Sequence, residues 1–394
     1  MARQLLHPSA LDEGLRSGLF LSAQRRTGKT TFLLADLVPA LQSSGAIVIY
    51  ADLWANTQAS PAALVQHAVQ KALADLQSPA GALAERLKRL RNAELAVAGF
   101  KFGFKVDSVG TPEGATLAEA LTAVVDQGQT DVVVIVDEVQ HAILSEEGQQ
   151  MLLALKAARD AINPRPNTPG HFIFLGTGSH RALVSELTAR RNQAFAGATS
   201  VAFPLLDADY VEFLLKRLAG EGLRAVPSLD TATAAFRTLG ARPEEMLRAL
   251  RELNSNLPEG EDPDKFLPVI AATLRSTSAD IEIMKVEQLG AFALAVFERI
   301  VVADGEARGL FGAEALADYT RELGREVRVD EIQAVIAELM DANIVMRRGH
   351  GQYGLTDPFV RQIWRERRAL TDPPAAAAAP APPESGLDDD HGPA

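Results

Sequence analysis

Gly18-Leu19-Phe20-Leu21-Ser22-Ala23-Gln24-Arg25-Arg26-Thr27-Gly28-Lys29-Thr30-Thr31-Phe32-Leu33-Leu34 reads as a short apolar strand, a polar turn and the opening of an apolar-periodic helix. The turn ends in Thr27-Gly28-Lys29-Thr30, the spacing of a phosphate-binding loop. In such a loop successive backbone N–H groups point at an anion, and the helix N-terminus adds positive partial charge. Lys29 is then placed for β- and γ-phosphates and the Thr30 hydroxyl for Mg²⁺, with Gln24, Thr27, Gly28 and Thr31 completing the cradle and Arg25 and Arg26 as loop residues that face either phosphate or solvent. The full pattern wants glycine at position 23; this chain has Ala23, the smallest substitute.

Far downstream, Asp131-Val132-Val133-Val134-Ile135-Val136-Asp137-Glu138 is an apolar run ending in two carboxylates. A strand buried on both faces would hold Asp137 near a metal on the loop side. Glu138 would then orient and deprotonate a water for in-line attack on a γ-phosphate. The next apolar run, His171-Phe172-Ile173-Phe174-Leu175, leads into Gly176-Thr177-Gly178-Ser179. Ligands of parallel sheets sit beyond the carboxyl ends of strands. Thr177 and Ser179 are both candidates to hold the water or a γ-phosphate oxygen, and Ser179 equally suits a helix cap. Arg190-Arg191 fits an arginine finger reaching a neighbouring subunit or, the favoured reading, a solvated helix end. Arg242, in Gly240-Ala241-Arg242-Pro243, is a candidate phosphate contact or part of a simple turn before a helix.

Around these motifs, strands expected at Leu19–Ser22, Ala46–Ala51, Val132–Val136, Phe172–Leu175 and Ser200–Phe203 alternate with helical stretches. Residues 1–204 therefore read as an α/β core on a parallel sheet of about five strands. One long interval carries helical runs at Pro61–Leu76 and Gly81–Val97, then Phe100-Lys101-Phe102-Gly103-Phe104-Lys105-Val106. That period of two predicts a strand or hairpin packed on the core; a nucleic-acid stacking stripe is the disfavoured alternative, with only two lysines. Residues 205–284 read as a helical lid, with helices at Asp207–Leu218, Asp230–Leu239, Pro243–Leu253 and Lys265–Leu274. Residues 285–370 carry helical patterns at Leu289–Ala303, Gly312–Leu323, Arg328–Asp341 and Pro358–Arg368, with a hairpin signal at Asn343–Arg347 and Gln352–Leu355. This order predicts a winged helix-turn-helix. Residues 371–394, Pro/Ala-rich and then acidic, are expected to be a disordered tail.

The sequence has 394 residues, no cysteine and a formal net charge of −12. A disulfide framework and cysteine-based zinc sites are excluded. No apolar run is long enough for a bilayer, and Met1–Pro8 is too polar for a secretory signal, so the cytoplasm is the expected location. The charge argues against broad electrostatic wrapping of nucleic acid. Beyond Arg328, the third helix of the last unit carries Asp330, Glu331, Glu338 and Asp341 and no further Lys or Arg. Basic residues gather instead at Arg347, Arg348 and His350 and at Arg361, Arg365, Arg367 and Arg368. Contact with a protein is favoured there over DNA, which stays open.

Several of these stretches together resemble one family: Arg25-Arg26-Thr27-Gly28-Lys29-Thr30-Thr31, Tyr50-Ala51-Asp52-Leu53, Phe102-Gly103-Phe104 and Val136-Asp137-Glu138-Val139-Gln140. Gly178-Ser179, Gly240–Pro243 and Tyr353-Gly354-Leu355-Thr356-Asp357-Pro358 extend the match. Over roughly residues 1–370 the chain resembles AAA+-related P-loop ATPases, specifically the archaeal-type ATPase group of the STAND NTPases. The resemblance implies a core that binds ATP and Mg²⁺, a helical lid, a winged-helix domain, nucleotide-driven switching, and self-association or a protein partner. The chain lacks a Gly-Arg-Glu stretch before the first strand, and Leu5, Leu6 and Pro8 are the candidates for that role in adenine recognition. It has no Asn-Lys-x-Asp stretch for guanine. The function expected is an ATP-hydrolysing, Mg²⁺-dependent switch. The alternatives are a DNA-associated ATPase, such as a transposition helper or loader, and a scaffold that binds nucleotide without turnover.

Overall fold

The computed structural model describes residues 1–371 other than 24, 25, 57, 79, 92–99, 144, 180–183, 185, 186, 189–192, 223, 304–306, 343 and 350. Of residues 88–91, 348, 349, 358, 359 and 369–371 it describes the backbone. Gln24, Arg25, Arg190, Arg191, His350, the end of the Gly81–Val97 run and nearly all of the expected tail lie outside the described residues.

Five strands form the first sheet: β1 Leu19–Ser22, β2 Ile47–Asp52, β3 Val132–Asp137, β4 Phe172–Gly178 and β5 Thr199–Ala202. All pair in parallel, in the order β2-β3-β4-β1-β5. The apolar runs are continuous because the central strands are covered on both faces. Along β3, Val132, Val134 and Val136 enter one hydrophobic core with Phe20, Phe172 and Phe174. Val133 and Ile135 enter another with Leu19, Leu21, Ile173 and Leu175. The first face is covered by helices Pro61–Gln77, Leu117–Gly128 and Glu146–Ile162. The second is covered by Leu33, Leu37 and Leu41 of the segment after the loop, and by Leu5 and Leu6 of the helix Ala2–Leu6. Each such side chain, fully buried, contributes about 1.5–3 kcal/mol.

That packing corrects one expectation. Leu5 and Leu6 are core residues, 1% and 3% exposed, and offer no free ledge for a purine.

A second correction concerns residues 100–106, which form no strand. Their backbone finds other partners: Phe100 N donates to Leu76 O, while the Gln127 amide donates to Lys101 O and accepts from Lys101 N. One glutamine side chain thus supplies what a neighbouring strand would. Phe100, Phe102 and Phe104 lie half-buried on the core, with Phe102 and Phe104 stacked at 5.3 Å.

Helices Ala208–Gly220, Leu229–Thr238 and Pro243–Asn256 and the first part of Pro263–Gln288 enclose their own core around Phe236, Met246 and Leu250. Pro263–Gln288 is one helix, longer than its expected Lys265–Leu274. The polar run Arg275-Ser276-Thr277-Ser278 carries no apolar repeat, so periodicity stops where the helix does not.

The chain divides into two compact units, Met1–Leu274 with Arg347–His350, and the remainder. Residues 291–371 follow the order helix Ala291–Val302, strand β6 Ala307–Arg308, helices Ala313–Leu323 and Val329–Asp341, strands β7 Val345–Gly349 and β8 Gln352–Leu355, and helix Pro358–Thr371. β6 pairs antiparallel with β8, giving a sheet ordered β6-β8-β7. At two residues, β6 is too short for any alternation to announce it.

Candidate functional site

The site lies at the carboxyl ends of β1, β3 and β4, where crevices of parallel sheets take ligands. After β1 the chain stays extended for one more residue: Ala23 N donates to Gly178 O at 3.0 Å. Ala23 does not enter the left-handed region, so its Cβ is tolerated where the motif has glycine. Beyond it, Arg26 has φ 65° and Gly28 φ 90°. At Gly28 the positive φ requires glycine; an added Cβ would meet only Leu206, at 3.8 Å. Helix begins at Lys29 and continues as π-helical turns over Phe32–Leu37 and as α-helix over Val38–Ser43.

The structure brings together Lys29, Thr30, Asp137, Glu138, Thr177 and Ser179. Lys29 is 6% exposed, and its Nζ donates to Asp137 Oδ1 at 2.8 Å and to Glu138 Oε1 at 2.9 Å. Thr30 Oγ1 donates to Asp137 Oδ2 at 2.8 Å. Thr177, still within β4, donates its hydroxyl to Asp137 Oδ1. Ser179 Oγ donates to Glu138 Oε2 at 3.0 Å. Glu138 itself turns sharply out of β3 at φ 56°, a left-handed conformation that costs a non-glycine residue about 1–3 kcal/mol.

Two residues join the site that sequence reasoning gave no role. The Tyr50 hydroxyl donates to Asp137 Oδ2 at 3.2 Å from the adjacent strand β2. Gln140 Nε2 donates to Glu138 Oε2 and, at 3.1 Å, meets Ser179 Oγ. Both lie inside stretches quoted for the family resemblance; pairing of β2 with β3 brings Tyr50 to Asp137, and the turn after β3 brings Gln140 back to Glu138. Gln140 is 2% exposed, and its Oε1 has no hydrogen-bond partner among the described residues. An orphan of that kind costs about 1–3 kcal/mol.

The electrostatics follow from this crowding. Burial by itself raises the Asp137 pKa, but Lys29, Thr177 and Thr30 outweigh it and hold the carboxyl below its ordinary 3.8. Burial likewise opposes ionisation of Glu138, and Lys29 and Gln140 carry it below 4.5. Burial first, and then the Asp137 and Asp52 charges, push the Tyr50 phenol well above its ordinary range, so it stays a neutral donor. The result is two ionised carboxylates held around one ammonium.

Arg26 faces the helix Pro243–Asn256, with Nη1 3.3 Å from Glu245 Oε1 and Nε 3.8 Å from Glu244 Oε2. Arg242 precedes that helix as a half-buried residue. The described contacts across to the loop run through Glu244 and Glu245. Thr27 is buried and Thr31 exposed.

No group of three or more His, Cys, Asp or Glu residues among those described is arranged to hold a metal. Thr30 Oγ1 and an Asp137 oxygen 2.8 Å apart instead offer two hard oxygen donors. That donor set suits Mg²⁺, which keeps waters and substrate phosphate for its remaining positions. A separate cleft of about 310 Å³, lined by Arg16, Asp131 and His171, lies at the amino ends of the strands, away from this cluster. No described helix is long and apolar enough to cross a membrane.

The chain matches no family model and no curated protein. Among solved structures it is similar to the Walker-type ATPase of Pyrococcus abyssi, with 18% identity and a TM-score of 0.55, over 90% of this chain and 93% of that one. It also aligns with the ORC2 protein of Aeropyrum pernix in ADPNP–ADP complexes, at 12% identity and TM-score 0.45, covering 90% and 89% of the two chains. The ORC1 protein of Aeropyrum pernix in complex with DNA aligns at 17% identity and TM-score 0.39, covering 94% and 97%. Together with the five-stranded parallel sheet, the first of these similarities gives the chain the P-loop NTPase α/β fold.

Proposed function

We propose that this protein is an ATP-binding and ATP-hydrolysing switch of the AAA+/STAND type, dependent on Mg²⁺. One observation carries the reading: Lys29 and Thr30, at the start of the loop helix, meet Asp137 and Glu138, more than a hundred residues away, at 2.8–2.9 Å. That constellation has the parts phosphoryl transfer to water requires. Lys29 binds β- and γ-phosphate oxygens, and the N–H groups at the helix start add positive potential. Thr30 and Asp137 would hold Mg²⁺, which would supply charge neutralisation at the phosphates. Glu138 accepts the proton of the attacking water; its lowered pKa keeps it ionised and ready to do so at neutral pH. Thr177 and Tyr50 hold Asp137 in place.

The Arg26 contacts to Glu244 and Glu245 support a lid that follows events at the phosphate loop. For residues 285–370 a winged-helix domain that contacts protein is preferred to one that contacts DNA. Arg367 faces Asp280 and Glu287, Arg368 pairs with Glu298 at 2.7 Å, and Arg328 pairs with Asp330 at 3.1 Å. Cations already met by carboxylates have less to offer phosphates. Self-association and cytoplasmic location belong to the same proposal.

The test is nucleotide binding and phosphate release by wild type, Lys29→Ala and Glu138→Gln. Lys29→Ala loses binding. Glu138→Gln keeps binding and loses turnover by about 10²-fold or more. Turnover unchanged in Glu138→Gln would refute the role given to that carboxylate, and tight binding without phosphate release by wild type would select a scaffold. Hydrolysis that rises with duplex DNA and falls steeply with salt would favour the DNA-associated alternative.

A further inference from the structure

We infer that Gln140 is the positioning residue of the Glu138 carboxylate: with Ser179 it holds Oε2, so that Oε1, on the Lys29 side, is the oxygen presented to the reacting water. The inference rests on the hydrolytic reading above and names a further part of the same site.

The Glu138 carboxylate has two distinct edges. Oε1 accepts from Lys29 Nζ at 2.9 Å, facing the phosphate loop. Oε2 accepts from Gln140 Nε2 and from Ser179 Oγ, which approaches to 3.0 Å. Gln140 Nε2 also reaches Ser179 Oγ at 3.1 Å, so the two donors brace one another. Asp137, by contrast, is held by Lys29, Thr30, Tyr50 and Thr177 without help from Gln140. Of the two carboxylates, Glu138 is the one that the Gln140 amide reaches.

The amide has one workable orientation. Turned over, its Oε1 would face Glu138 Oε2, acceptor against acceptor. As it stands, Oε1 is buried with no hydrogen-bond partner among the described residues, and a Cβ on Gly178 would lie 2.3 Å from it. The chain therefore leaves an acceptor unpaired and keeps a glycine beside it, and both follow from presenting Nε2 to Glu138. Packing alone would be served better by leucine. Backbone geometry fixes the rest: Glu138 is left-handed at φ 56°, and Val139 N donates to Thr177 O at 2.7 Å, tying the turn to β4.

The experiment uses full-length wild type, Gln140→Leu and Ser179→Ala, and measures ATP affinity, kcat, KM and melting temperature for each. If Gln140 only fills space, an apolar side chain of similar size leaves kcat in place. If it holds Oε2, ATP affinity and KM stay within about twofold while kcat falls about 10²-fold in Gln140→Leu, the loss expected when a reacting group is misplaced by about 1 Å. Losing the orphan acceptor and losing a donor to a buried carboxylate act in opposite directions on melting temperature, which serves to show that the variant is folded. If Gln140→Leu fails to fold, Ser179→Ala decides: an unchanged kcat overturns the inference. In an active wild type, a kcat indifferent to Gln140 overturns this role alone. A wild type that never releases phosphate overturns the hydrolytic reading, and this role with it.

Discussion

Removing the Lys29 ammonium should destabilise the ligand-free protein, and by an amount the geometry lets one estimate. In Lys29→Ala two carboxylates, with side chains 2% and 13% exposed, lose a cation at 2.8 and 2.9 Å. At an effective dielectric of about 20 each contact is worth about 6 kcal/mol gross. Desolvation already offsets much of that, and breaking a buried pair by deleting one partner costs about 3–5 kcal/mol net. For a unit of this size the loss corresponds to about 6–20 °C in Tm. The pH dependence gives a second check. Asp137 and Glu138 sit below their ordinary 3.8 and 4.5, so the stability they lend is present above those values and is lost as pH falls through their folded-state pKa. Without Lys29, burial is opposed only by the hydroxyl and amide donors, and both pKa values move up. The variant then regains ground by taking up protons, and its gap to wild type narrows as pH falls from about 7 toward about 4. Adding Glu138→Gln to Lys29→Ala should recover part of the loss at neutral pH, since one uncompensated charge disappears. Calorimetry on ligand-free protein at several pH values reads all three effects. A Tm shift below about 2 °C, or a gap indifferent to pH, would refute the argument that Lys29 holds two ionised carboxylates.

Thr30→Val keeps the side-chain volume and removes the hydroxyl 2.8 Å from Asp137; the Mg²⁺ concentration for half-maximal hydrolysis should rise at least about tenfold, and an unchanged Mg²⁺ titration would count against Thr30 as a ligand. In Gly178→Ala the new Cβ would sit 2.3 Å from Gln140 Oε1 and 2.7 Å from Val184 Cγ2, so unfolding free energy should drop by about 1–3 kcal/mol; a neutral substitution would show that the amide is free to move. Arg26→Ala removes an ion pair whose arginine is 59% exposed, so denaturation should register less than about 1 kcal/mol, and a larger loss would mean the loop–lid contact is more than a surface pair.

Parts of this site were legible residue by residue. Gly18 to Leu34 carries its own strand, turn and helix start, because the apolar period changes from continuous to helical across a single polar loop. Asp137 and Glu138 could be picked out because a fully apolar strand ending in charge must deliver that charge to an edge of the sheet. Other expectations failed for identifiable reasons. Alternation at Phe100–Phe104 implied a strand, yet Gln127 took the backbone groups a partner strand would have used. Leu5 and Leu6 looked available and are buried, since nothing local shows that Leu33, Leu37 and Leu41 need covering.

The sequence by itself determined the local elements and their chemistry: a loop able to bind phosphate, an acidic strand end, and helices where apolar side chains recur at helical spacing. Only the tertiary structure decided which of those groups meet. The order β2-β3-β4-β1-β5 sets β3 and β4 side by side and β4 next to β1, which delivers Thr177 and Thr30 to one Asp137 carboxylate. The same order places Tyr50 beneath that carboxylate and Ser179 within reach of Glu138 and Gln140. Strand order is settled by how helices cover both faces of a twisted sheet, a long-range packing choice for which a residue's immediate neighbours carry no signal.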